Sequence, residues 1–168
     1  MTERRVYSRL TSEGLDRLQS LVGERSWQVF ARDARISGAA VGECYAVDGL
    51  QIWKWKSDGL GLWSHVEPDE IGRDYNSISV TIADQKPGPR RGMTLMGVEP
   101  IEAVLVYEEE AEEWGGWSDV AIRMRSADED VLLHAEPPFW RLYCGARVNE
   151  SLMEQLGLEL RWSASGLT

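Results

Sequence analysis

Hydrophobic positions along this chain recur with two periods, and the switch between them marks out the elements. Leu15, Leu18 and Val22 share one face at helical spacing. Thr11 or Ser12 offers a side-chain oxygen to cap the first turn. Glu13 stands where a helix N-terminus favours a carboxylate, and Gly23 is placed to end the segment. From Trp27 the period shortens to two. Trp27 to Ala31 reads as a first strand, and Glu43 to Val47, Leu50 to Trp55 and Leu60 to His65 follow it, separated by Asp48-Gly49 and Asp58-Gly59. Asp-Gly between strand-like runs suits a two-residue type I′ turn, because both central residues of that turn need positive φ. The pattern therefore predicts a meander with Val47 opposite Leu50, Tyr45 opposite Ile52, Glu43 opposite Lys54 and Trp55 opposite Leu62. Both of its faces are partly apolar, so the middle strand is expected to be buried on two sides.

Tyr75 to Ala83 alternates cleanly, with Ile78, Val80 and Ile82 on one face and Ser77, Ser79 and Thr81 on the other. Asp84 to Gly92 carries the chemistry of a loop, and Ile101 to Tyr107 is apolar enough for a central strand. Glu108 to Trp117 reads as an acidic loop. Val120, Ile122 and Met124 then resume the alternation, which directs Arg123 and Arg125 outward. A four-residue turn at Ser126 to Glu129 sets Met124 against Val131 and Ile122 against Leu133, whereas a five-residue turn would set Arg125 against Val131, so the buried face selects the shorter one. Asn149 caps a short helix through Leu152, Met153 and Leu156, Gly157 stops it, and Leu158, Leu160 and Trp162 form a last strand. The sum is one α+β domain over residues 1–168. It is built on a mainly antiparallel, strongly curved sheet or partial barrel, with an N-terminal helix and a short C-terminal helix.

Composition narrows the function classes. Acidic residues outnumber basic ones by 28 to 18, a formal charge of −10, so nucleic acid and anionic membrane surfaces are disfavoured and a basic protein partner is permitted. No apolar run reaches the roughly 18–20 residues of a membrane span, and Met1 to Leu21 lacks the apolar core of a secretory signal. The two cysteines, Cys44 and Cys144, are too few for a disulfide framework and too far apart for a zinc knuckle. A reducing cytoplasm is therefore the expected compartment, and neither a metal nor a cofactor is expected.

Candidate chemistry is sparse. His65 leads into the acidic turn Glu67 to Glu70, and His134 precedes Glu136; either could serve as an acid–base or ligand-fixing group in a tryptophan-lined pocket, as a small hydrolase or small-molecule-binding module would need. Each is also an ordinary strand-end histidine. Cys144, with Arg141 and Arg147 nearby, has the neighbours of an activated thiol but equally those of a small core residue. Gly88 to Gly92 lacks the helix and the Lys-Ser/Thr of a phosphate loop, and reads as a polar loop. The most unusual stretch sets Glu108, Glu109, Glu110, Glu112 and Glu113 beside Trp114 and Trp117. Carboxylates steer basic partners, and aromatics anchor interface centres, so these seven residues form the candidate partner-binding site; the competing reading is a solvated loop whose tryptophans fold back on the sheet. Together these features point to a non-catalytic acidic binding protein, an inhibitor or immunity-type protein by charge and size alone.

Overall fold

The computed structural model of the chain describes residues 5–36, 43–54, 58–83, 93–111, 115–137 and 139–166, with side-chain placement for all of these except 32–49 and 93–96. Its strands are β1 (Val6–Ser8), β2 (Trp27–Ile36), β3 (Glu43–Trp53), β4 (Gly59–Pro68), β5 (Asp74–Ala83), β6 (Met93–Gly97), β7 (Ile101–Glu110), β8 (Trp117–Ser126), β9 (Asp130–Glu136), β10 (Phe139–Cys144) and β11 (Glu159–Ser165). The helices are α1 (Ser12–Gln19) and α2 (Glu150–Gln155). The α+β class with a mainly antiparallel sheet is what the alternation predicts. The sheet runs β11-β7-β8-β9-β10-β3-β2-β6, with β4 joined to β3, β5 joined to β4, and β1 added to β8 in parallel. Among the described residues β5 pairs only with β4, so the hydrogen-bonded ladder stays open.

Several local expectations are met by the chemistry that suggested them. Thr11 Oγ1 accepts the Gly14 N–H at 3.0 Å and so caps α1. Leu18 is fully buried, worth about 1.5–3 kcal/mol for a leucine side chain, and Leu15 and Val22 pack beside it. The turn after β8 has the predicted register, Met124 opposite Val131 and Ile122 opposite Leu133. Asn149 Oδ1 accepts the Leu152 N–H at 2.9 Å, and Gly157 ends the α2 segment at φ +69°, a left-handed conformation that favours glycine.

Other expectations are corrected. β3 runs unbroken through Asp48-Gly49: Ala31 pairs with Leu50 and Asp33 with Val47, so two residues of β3 oppose one of β2. The Asp-Gly pair is a bulge inside a long strand, not a hairpin turn, because continuous pairing with β2 outweighs the local turn preference. At this point the other edge of β3 changes partner, from β10 (residues 43–46) to β4 (residues 50–53). The second Asp-Gly does lie at a hairpin, but at its end. The Lys54 N–H donates to the Asp58 carbonyl, and Leu50 rather than Trp55 faces Leu62. Trp55 and the Asp84 to Gly92 loop lie outside the described residues.

The strands that prove buried on both faces are β8 and β9. Val131, Leu133, Ala135, Ile122 and Met124 belong to a large core with α1, β4 and β5, while Leu132, Ala121, Tyr107 and Tyr143 belong to a second core closed by Val148, Met153 and Leu158. Arg123, directed outward by alternation alone, is therefore buried at 4 % exposure. Its guanidinium pairs with both Asp130 oxygens, at 3.0 and 2.8 Å, and reaches Tyr107 Oη and Glu150.

Candidate functional site

The acidic stretch begins on a strand rather than in a loop. β7 continues through Glu110, which pairs with Trp117 across the β7–β8 hairpin, because the ladder with β8 extends past the last apolar residue. Glu108 is buried at 4 % exposure. Glu109 is half-buried; it accepts from Asn76 Nδ2 at 3.4 Å and lies 3.5 Å from His134 Nε2. Glu110 is exposed, and Trp117 is half-buried with its backbone N–H donated to the Arg5 carbonyl at 2.8 Å. Glu112, Glu113 and Trp114 lie outside the described residues. Of the described members, then, Glu110 faces solvent, Trp117 is partly accessible, and Glu108 and Glu109 are drawn into the protein.

The two histidines occupy different settings. His65 is exposed on the outer half of β4. His134 is buried on β9, opposite Ala121 on one side and Arg141 on the other. Neither ring nitrogen of His134 makes a hydrogen bond, and no hydrogen bond or ion pair joins the two histidines among the described residues. Cys144 is half-buried, and burial followed by the nearby Glu129 carboxylate raises its thiol pKa, the reverse of an activated nucleophile. No group of three or more His, Cys, Asp or Glu among the described residues could hold a metal ion.

A cleft of about 460 Å³ opens elsewhere, where β1 meets the turn between β4 and β5. Asp69 builds that turn. Its Oδ1 accepts the backbone N–H of Ile71 and Arg73, and its Oδ2 accepts from Arg73 Nε at 2.7 Å. Burial alone would raise the Asp69 pKa, but these backbone and guanidinium donors outweigh it and hold the carboxyl below its ordinary value. The share of stability this represents is complete above the ordinary aspartate pKa and is lost as pH falls through the depressed one. The turn projects Ile71 into solvent at 73 % exposure. Exposed Val66 and Val6 add apolar surface on β4 and β1.

The floor of the cleft is aromatic. Tyr7 stacks on Tyr75 with ring centroids 5.2 Å apart and planes inclined by 8°, and Ser8 Oγ donates to Ser77 Oγ at 3.0 Å. Gly116 lets Tyr7 reach this position: a Cβ there would lie 1.9 Å from Tyr7 Cε2. Burial, then the hydrogen bond Tyr75 donates to Glu67, raises the Tyr75 pKa and keeps the phenol protonated. Glu67, Glu70 and Asp74 are exposed around the rim and make no ion pair among the described residues. The alternation pattern does not reveal this site. β1 is three residues long, too short to show a period, and the one legible signal was an isoleucine between Glu70 and Gly72 in an otherwise polar turn.

No family model, curated protein or solved structure matches the chain. No helix among the described residues is long and apolar enough to cross a membrane.

Proposed function

We propose that this chain is a non-catalytic binding protein that takes a basic protein partner onto the end of the sheet where the β4–β5 turn, β1 and the β7–β8 hairpin come together. The observation that carries the reading is the exposed Ile71 side chain, set among the exposed carboxylates Glu67, Glu70 and Asp74, which make no ion pair among the described residues. An apolar centre within an acidic rim suits a basic partner: the carboxylates steer the encounter, and the apolar contacts hold it. β1 links this surface to the hairpin, through Tyr7 on Tyr75 and the Arg5 carbonyl on the Trp117 N–H, so exposed Glu110 and half-buried Trp117 extend the same face. The approach of β5 to β1 without pairing is what a strongly curved sheet would produce. An inhibitor or immunity-type role in a reducing cytoplasm is one form such binding takes.

Affinity purification from the native host at about 0.05 M and about 0.3 M salt tests this, because screening shortens the reach of an acidic surface. The wild-type chain should retain one basic protein in near-equal amount at the lower salt and release it at the higher. A variant carrying Glu67→Lys, Glu70→Lys and Ile71→Asp should retain none while melting within a few degrees of wild type. Equal recovery by the two chains would overturn the assignment of this face.

A further inference from the structure

Resting on that reading, we infer that the cleft between β1 and the β4–β5 turn receives an arginine side chain of the partner, and that Arg5 holds the same place in the free protein. The Arg5 guanidinium lies over the Tyr7 ring, Cζ 5.3 Å from the ring centroid, and Arg5 makes no ion pair among the described residues. A planar cation on a tyrosine face is an arrangement that arginine satisfies better than lysine, because a guanidinium stacks and is more weakly hydrated than an ammonium. Tyr75 stacks on the Tyr7 ring, which fixes the orientation of the Tyr7 face that Arg5 covers.

Charge decides what kind of ligand this surface takes. The charged groups lining the cleft are Arg5, Arg73, Asp69 and Glu70. Arg73 is held by Asp69 at 2.7 Å, so displacing Arg5 leaves Glu70 as the lining carboxylate an incoming cation can meet, with Glu67 and Asp74 next to the lining residues in the chain. An anion entering here would meet uncompensated carboxylates, whereas a guanidinium would gain them as partners. The cleft volume, about 460 Å³, holds a side chain and its flanking backbone rather than a folded element. Arg5 is exposed and its stack is a single cation–π contact, so an incoming arginine that also reaches Glu70 can displace it.

The test is an NMR titration of the full chain with Nα-acetyl-arginine amide, followed through backbone amide shifts, with the lysine and citrulline analogues as controls. Arginine should give saturable shifts confined to Tyr7 and the Ile71 to Tyr75 turn, lysine should bind several-fold more weakly, and citrulline should not bind. Arg5→Ala should tighten arginine binding about two- to fivefold, the worth of one exposed cation–π contact. Glu70→Gln, at an exposed position that leaves the fold intact, should weaken it. A flat titration, equal response to citrulline, or an Arg5→Ala variant that binds no better would each overturn the inference. A chain that still captures its basic partner through this face, yet ignores arginine amide, would sink the inference alone and leave the proposed function standing.

Discussion

Arg123 shows how far a single residue can depart from its pattern. It sits between Ile122 and Met124 on a strand whose alternation sends it to the polar face, yet that face is itself a core. Alternation reports which residues share a face, and it says nothing about what covers the face from a distant part of the chain. Here the cover is α2 and its flanks, some 30 residues on, which bring Glu150 against the guanidinium. The Asp130 hydrogen bonds, opposed by burial and aided by Tyr107, raise the Arg123 pKa further above its already high value, so the group stays charged throughout the accessible range. Removing it leaves Asp130, partly buried, with only the Arg125 Nε at 3.9 Å as a cationic neighbour. Arg123→Met should therefore cost about 3 kcal/mol, the low end for breaking a buried pair because Asp130 keeps some solvent. Arg125→Met, at an exposed neighbour, should change stability by no more than about 0.5 kcal/mol. Urea denaturation of the two variants separates the cases, and equal losses would mean that the buried pair has no special weight.

Among the elements, those announced by local chemistry were legible. The cap of α1, the cap and stop of α2 and the register after β8 each follow from residues within a few positions of one another. What local reading missed was set at long range. The Asp48-Gly49 pair has a hairpin's turn chemistry, but β2, β10 and β4 all pair with β3 and draw it through as a bulge. β1 has no pattern of its own and exists because Arg5 and Val6 find the start of β8. The candidate site shows the same division: Glu67 to Glu70 was legible as an acidic turn after His65 and not as a binding surface, while the Tyr7–Tyr75 floor joins residues 68 positions apart. Gly116 is the hinge of that assembly, since β1 docks only if Tyr7 can lie across it. Gly116→Ala should cost about 1–3 kcal/mol, as overpacking does, by forcing the Tyr7 ring off its seat. In a Tyr7→Ala background the same change should cost much less, because nothing remains to collide with. Full additivity of the two substitutions would show that Gly116 matters for some reason other than the Tyr7 contact.

At the scale of the whole molecule, one quantity acts in two directions. A formal charge of −10 leaves more carboxylates than internal cations can neutralise, so the folded chain repels itself, while the same charge would attract the basic partner proposed above. Salt screens both effects. Between about 0.01 and 0.15 M the screening length falls from about 30 Å to about 8 Å, which removes most repulsion between carboxylates on different parts of the surface. The ion pairs that Arg123 makes with Asp130 and Arg73 makes with Asp69 are short and partly buried, so they are screened less and do not cancel the gain. The melting temperature of the isolated chain should therefore rise over that range, by about 2–4 °C for each kcal/mol of repulsion relieved. The affinity for a basic partner should fall over the same range, because there the lost interaction is attraction. Calorimetric melting and a binding isotherm, run in the same buffers, read the two slopes together. Opposite signs follow if excess negative charge is retained for recognition at a cost in stability. A melting temperature that falls with salt would mean that surface ion pairs outweigh the repulsion, and an affinity indifferent to salt would remove the acidic rim from the recognition mechanism and leave Ile71 and its apolar neighbours to carry it.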